Sequence, residues 1–489
     1  MAMDVQALRA ARLALRERID RHPWIEYLGA TLLLSLLTLL AHGASLQGSW
    51  RWDDGAHLSY AAQHTPWQYF LEPHIAQGHS SANVAPWNLL FYDINLSLFG
   101  MAAAGHYAHL LLLVGLGAAL FYAVLREWVA PLPALIGAIA LLLGKPTAHI
   151  AAGLMHGHYA SGFVFAMLSI LGWTRYLKGG RGYWLALSAL AYLLATTCKE
   201  VYVPLVVLLP FLPVGTLRQR MRALVPFVLI ALAYMGWRYL LLGRLVGGYS
   251  QGVFDAGEAL RQLLRVPKLL LGSKPPGNIL AVVFLGLLCL AVVKRRLHGP
   301  VLFVSLGIVL LPLIPLTAFP GIHSPDRYLF VPWIAFSACL AAIWPREARP
   351  AAALVGSAAL VAALAGVHAQ ETQALRPNLA YWDTLYRFAL SLDKERQAIF
   401  VVPEFGGTDD GYKRSVLIRA RNTADLFAPK PQPGNLHVVD EKGRGLEQIP
   451  STTLQLFEFR DGDMVPMSAE RVAEKFPSLT RGKTAPSTG

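Results

Sequence analysis

Asp53, Asp54 and His57 stand within five residues of one another in "WRWDDGAH", directly after a long apolar run. Two adjacent carboxylates beside apolar surface resist ionising together, because desolvation and like charge both favour the protonated form. A carboxylate tuned in this way is a candidate general base. If Asp54 opens a helix, His57 lies three residues on and shares its face. A D-D-x-x-H group of that kind is also a candidate ligand set for a divalent cation. The simpler expectation is that Asp54 caps the helix, which leaves Asp53 without a structural task.

Four other places carry candidate chemistry. "CKE" puts Lys199 and Glu200 at a turn between apolar runs, either as an ion pair or facing a cavity. "HSPDRYLFVPW" places Arg327 where the chain re-enters an apolar run, beside Asp326 and Tyr328. The planar fork of an arginine suits a phosphate, and snorkelling to lipid head groups is the competing use. "ALRQLLRVPKLLLGSKPP" interleaves Arg261, Arg265 and Lys268 with leucines, a basic amphipathic stretch that would bind anionic head groups or a substrate phosphate. His149, His156 and His158 form a looser cluster that could meet metal or phosphate.

The elements that must position these residues are membrane helices. Of 489 residues, 55% are hydrophobic and 15% charged, well below the charged fraction of a soluble globular chain. Roughly 17–25 apolar residues span a bilayer. That rule predicts about eleven spans, near 26–43, 104–125, 130–146, 159–176, 182–198, 201–215, 223–242, 278–293, 300–319, 326–344 and 350–368. The net charge of +13 points away from nucleic acid, because the basic residues cluster between apolar runs. Arg9, Arg12, Arg16, Arg18 and Arg21 precede the first run and share a side with Arg126, Arg175, Arg218, Lys294 and Arg346. The charge rule makes that side cytoplasmic. Of fifteen histidines, all but His22 and His298 fall on or near the opposite side, with the acidic pair. Cys198, Cys289 and Cys339 lie in or beside apolar runs and give no disulfide framework or metal spacing.

The organisation expected is a basic cytoplasmic N-terminus over 1–25 and a transmembrane module over 26–368. A first outer loop covers 45–103 and a basic outer loop 243–277. Residues 369–489 then form a small extracytoplasmic α/β domain. Within the first loop, "APWNLLFYDINLSLFG" interrupts its apolar residues with Asn88, Asp93, Asn95 and Ser97, as a helix lying in the interface would. In the tail, "YWDTLYRFALSL" predicts an amphipathic helix. "AIFVVPEF", "SVLIRAR", "LHVV" and "LQLFEFRDGDMVPM" predict strands, the last a hairpin turning at Asp461-Gly462.

In this order the pieces resemble the GT-C superfamily of polytopic glycosyltransferases, which use polyprenyl-phosphate-linked sugars. The likeness is strongest to protein O-mannosyltransferase relatives, including the transmembrane type that carries tetratricopeptide repeats. "WDD" resembles that family's acidic motif, "APWNLLFYDINLSLFG…GHYAHLLL" its first-loop helix and second span with Asn95 at a matching polar position, "CKEVY" its Lys-Glu motif, and "PDRYLFVPW" its acid-Arg-Tyr-Leu motif. Ala85 stands where relatives often have arginine, "GKPTAHIAAG" lacks their acid, and the tail lacks the repeats. The resemblance implies a mainly α, GT-C-like helical bundle in the bacterial inner membrane that transfers a sugar, with inversion, at the extracytoplasmic face. Its catalytic residues would be Asp53, the base, and Asp54. Arg327, Lys199, Arg261, Arg265 and Lys268 would meet the donor phosphate, and His57, Asn95, Glu200, His149, Asp326 and Tyr328 would line the cavity. The partners implied are a polyprenyl-phosphate sugar, an acceptor protein, lipid or glycan, and membrane lipids, with a divalent metal as an optional cofactor. The rival expectation is a flippase or transporter of a lipid-linked saccharide, which would need the basic patch but no base.

Overall fold

A computed structural model describes residues 22–80, 82–245, 256–272, 274–294, 326–344, 350–391, 398–401, 410–427, 436–439 and 455–477. In chain order the helices are α1 (Pro23–His42), α2 (Asp54–Gln63), α3 (Pro66–Leu71), α4 (Pro73–His79), α5 (Pro86–Phe99), α6 (Ala103–Leu125), α7 (Pro131–Leu143), α8 (Lys145–Ala152) and α9 (Gly157–Gly179). They continue with α10 (Gly182–Cys198), α11 (Leu205–Leu208), α12 (Leu217–Leu242), α13 (Ala256–Leu271), α14 (Pro275–Val293), α15 (Phe330–Ile343) and α16 (Pro350–Ser391). The tail adds β1 (Ala398–Val401), α17 (Asp410–Leu426), β2 (Leu436–Val439), β3 (Gln455–Arg460), β4 (Asp463–Pro466) and α18 (Ala469–Lys475).

Among the described residues five helices are long and apolar enough to cross a membrane, and the chain is a multi-pass membrane protein. The other expected spans take different forms. α10, α14 and α15 are shorter apolar helices, and the stretch expected at 201–215 breaks into short turns around Pro204, Pro210 and Pro213. The expected span at 300–319 and the basic N-terminus lie outside the described residues.

The stretch expected to cross at 130–146 is bent by 54° between α7 and α8. Pro146 offers no N–H to Leu142, four residues back, and the freed carbonyls need other donors in an apolar setting. They find them. His42 Nε2 lies 3.0 Å from Leu142 O, Thr147 Oγ1 donates to Leu141 O at 2.5 Å, and Trp333 Nε1 lies 3.1 Å from both Ala140 O and Leu141 O. Trp333 reaches them across Gly144, where a Cβ would stand 1.9 Å from its Nε1.

α16 is the spine. Its 42 residues run without a break from the apolar stretch into the tail, so the expected domain boundary at 368/369 falls inside a helix. Its far end carries the sheet, with Tyr381 against Phe459 at 4.9 Å and Phe388 against Phe457 at 4.8 Å. The sheet has the order β2-β1-β3-β4, with β1 parallel to both β2 and β3 and β3 antiparallel to β4. The hairpin turns at Asp461 (φ 54°) and Gly462 (φ 94°), as the sequence predicts. The predicted strand "SVLIRAR" is instead part of α17. Parallel neighbours β1 and β2 need a crossover, and α17 supplies it. α17 packs against both α16 and α2, which carries the helical part of the acidic motif.

Candidate active site

The acidic motif begins with a buried arginine. Arg51 Nε donates to Asp383 Oδ1 at 2.7 Å and its Nη2 donates to Asp383 Oδ2 at 2.9 Å, while Nη1 donates to Ala152 O at 2.6 Å. Ser49 N also donates to Asp383 Oδ1, at 3.0 Å. The α16 spine therefore grips the chain just before the motif. Trp52 follows with φ of 44°, a left-handed conformation that a bulky residue rarely adopts and that costs on the order of 1–3 kcal/mol. α16 holds it there: Tyr386 OH donates to Trp52 O at 2.8 Å and Trp52 Nε1 donates to Asn378 Oδ1 at 3.1 Å.

This kink separates the two carboxylates. Asp54 is fully buried, accepting Tyr92 OH on Oδ1 at 2.5 Å and the Arg51 backbone N–H on Oδ2 at 2.6 Å. Burial pushes its acid up to about 7, with the neighbouring Asp53 charge adding to the rise and the hydrogen bonds and Arg51 opposing it. The same burial, with the Asp54 charge, pushes the Tyr92 phenol well above its ordinary value. Asp53 is the N-cap residue of α2 but makes no side-chain cap, and it is half-buried on the wall of a cavity. The capping role expected for Asp54 is thus not played by either side chain.

The cavity holds about 200 Å³. α2 contributes one helical face to it, Asp53, Ala56, His57 and Tyr60. His79 and Ser80 come from the end of α4, Asn88 from α5, and His158 and Tyr159 from the start of α9. Lys199 follows α10, and Arg327 and Tyr328 come from the short turn before α15. Lys199 is buried, with Nζ 5.8 Å from the Tyr159 ring centroid and 3.6 Å from Glu200 Oε2. Glu200 itself is occupied elsewhere, accepting from Arg238 Nη1 at 2.6 Å and from Val84 N at 2.9 Å. It holds the lysine's turn in place. The Arg327 guanidinium lies 5.1 Å from the Tyr328 ring.

His57 and His79 stand with ring centroids 4.9 Å apart. Burial, reinforced by Arg327, lowers His57 to about 3, and burial with the charge of its neighbours lowers His79 to about 3. Both are neutral imidazoles at physiological pH. Among the described residues no three His, Cys, Asp or Glu side chains are grouped as metal ligands. The D-D-x-x-H spacing fails as such a group because the Asp54 oxygens are taken by Tyr92 and Arg51.

Of the residues singled out from sequence, the fold brings Asp53, His57, Asn88, His158, Lys199, Arg327 and Tyr328 to the cavity. Others go elsewhere. Asn95 Oδ1 pairs with His109 Nδ1 at 2.8 Å, and His149 Nε2 lies 3.0 Å from Glu371 Oε1. Arg261, Arg265 and Lys268 are exposed on α13 and do not line the cavity. Asp326 opens the turn that carries Arg327, and its side chain lies outside the described residues. One basic residue was missed altogether. Arg419 of α17 lines the cavity from the tail. It arrives because Gly55 lets α17 close on α2: a Cβ at Gly55 would stand 1.9 Å from Val416 O. Val416 is three residues before Arg419 and shares its helical side.

No protein-family model matches the sequence, and no curated protein matches it. Solved structures do. The crystal structure of ArnT from Cupriavidus metallidurans bound to undecaprenyl phosphate superposes with a TM-score of 0.51 at 14% identity, covering 88% of this chain and 93% of that one. The chain has the fold of that ArnT structure. Within it, the carboxylate of the acidic motif and two basic side chains from distant turns line one cavity. The apo crystal structure of the same ArnT matches with a TM-score of 0.48 at 14% identity, covering 80% of this chain and 84% of that one.

Proposed function

We propose that this protein is a membrane glycosyltransferase that moves one sugar from a polyprenyl-phosphate donor to an acceptor hydroxyl. The observation that carries the reading is the company Asp53 keeps: a carboxylate on the wall of a cavity that also bears Lys199 and Arg327. The solved neighbour with this fold is described as bound to undecaprenyl phosphate, which supports a lipid phosphate of that class as the donor's carrier.

In this reading Asp53 takes the proton of the acceptor hydroxyl as its oxygen attacks the anomeric carbon. The bond from that carbon to the phosphate oxygen breaks, and the polyprenyl phosphate leaves with the electron pair. Lys199 and Arg327 stabilise the charge that develops there, which is the larger part of such catalysis in a desolvated site. One displacement inverts the anomeric configuration. General-base assistance contributes about 10²–10⁴ in rate. Among the described residues, the side chains around Asp53 do not supply a metal cage. The reaction would take place at the extracytoplasmic face of a bacterial inner membrane, as the charge distribution of the sequence implies.

Mass spectrometry of lipid-linked sugars and surface glycans, with and without the protein, tests the reading. Loss of the protein should leave one polyprenyl-phosphate sugar accumulated and one glycan residue missing. A missing glycan residue with the donor trapped on the cytoplasmic side of the membrane would favour a flippase instead.

A further inference from the structure

Native folds leave few buried polar atoms without a hydrogen-bond partner, and each exception asks for an explanation. Among such atoms on residues of this cavity's wall are His57 Nδ1, Asn88 Oδ1 and His158 Nδ1. Their residues are 7%, 6% and 6% exposed. They come from three separate helices, so no single local distortion accounts for them. Asn88 Nδ2 lies 3.1 Å from His57 Nε2, which fixes the two side chains against each other. With the amide donating there, His57 Nδ1 carries the ring proton and Asn88 Oδ1 is an acceptor, so two residues of the wall hold one unfilled donor and one unfilled acceptor.

That chemistry chooses a ligand. A phosphate oxygen wants donors only and would meet the Asn88 oxygen unfavourably. A hydroxyl both donates and accepts and satisfies either atom. His57 is a neutral imidazole for the reasons given above, and neutral groups suit an uncharged polyol. The positive charge of the cavity resides on other side chains, Lys199, Arg327 and Arg419.

We propose that His57, Asn88 and His158 form the subsite that grips the donor's single monosaccharide by its hydroxyls, next to the cations that hold its phosphate. This rests on the glycosyltransferase reading and adds to it the residues that choose the sugar. Binding of two probes to the full-length protein in detergent tests it: undecaprenyl phosphate alone, and a panel of undecaprenyl-phosphate hexoses lacking one hydroxyl at a time. Asn88→Ala and His158→Ala should each weaken the best hexose lipid about two- to tenfold, the worth of one hydrogen bond, and leave bare undecaprenyl phosphate unchanged. One deoxy analogue should bind wild type and variant alike. Asn88→Leu preserves volume and replaces Asn88→Ala if that variant fails to fold. Equal weakening of both lipids overturns the subsite, because the wall then serves the phosphate. So does no weakening of either, because the atoms are then satisfied by water alone. Wild-type protein that binds neither lipid overturns the donor reading itself, and the subsite with it.

Discussion

The Arg51 guanidinium forks onto the Asp383 carboxylate, joining the residue before the acidic motif to a helix more than three hundred positions away in the chain. Side-chain exposures of 4% and 18% make this a largely buried pair, and removing one partner strands the other charge. Asp383→Ala should destabilise the folded protein by about 3–5 kcal/mol and cut turnover, since the pair also holds the kink at Trp52. Thermal unfolding in detergent, run beside a transfer assay, measures both. A variant with native stability would mean that the motif is held by other contacts.

The tail's hold on the site runs through Gly55. A side chain there meets the Val416 carbonyl, a backbone atom that cannot step aside. Gly55→Ala should cost about 1–3 kcal/mol, as overpacking does, and should displace Arg419 from the cavity mouth. The displacement predicts a raised donor KM, which Arg419→Ala should reproduce without the loss of stability. Identical donor KM values in Arg419→Ala and wild type would place the arginine outside the donor's path.

Asp54 gives a signed pH dependence. Its folded acid, at about 7, lies above the ordinary value of 3.8. Between those values the folded protein keeps a proton that the unfolded chain releases, so this group's contribution to stability falls as pH rises through the window and is level on either side. Asp54→Asn should remove that slope, worth a few kcal/mol across the window. The difference in unfolding free energy between wild type and variant, followed from pH 4 to 7, reads it directly. A difference that stays flat contradicts the account of the buried pair.

Removal of divalent ions should leave transfer unaffected. The cavity carries positive side chains where a metal would otherwise neutralise phosphate, and the Asp54 oxygens are already engaged. Transfer measured in EDTA and after magnesium or manganese is restored checks this. Loss in EDTA with recovery on readdition would show that an ion shares the work of Lys199 and Arg327.

How much of this was legible in the sequence depends on whether the signal was local. "WDD", "CKE" and "DRY" could be read because residue types that bind phosphate or move protons sit at the ends of apolar runs. The fold gathers Asp53, Lys199 and Arg327 accordingly. Asp383 and Arg419 gave no such signal, being single charged residues on amphipathic helices whose value comes only from what α16 and α17 pack against. "SVLIRAR" alternates like a strand, but its place between two parallel strands makes it a crossover helix. Hydropathy placed the apolar stretches but not the breaks within them: the one expected at 130–146 bends between α7 and α8, where its carbonyls are met by Trp333, Thr147 and His42. The basic run on α13 had the composition of a phosphate site, yet its arginines and lysine are exposed away from the cavity.

Asp53→Asn is the most direct test of the central claim. Purified wild-type and variant protein, reconstituted with a polyprenyl-phosphate sugar and acceptor, are compared for transfer rate and for binding of undecaprenyl phosphate. The account predicts a loss of about 10²–10⁴ in rate with lipid binding and thermal stability retained. Transfer by the variant at the wild-type rate would contradict it.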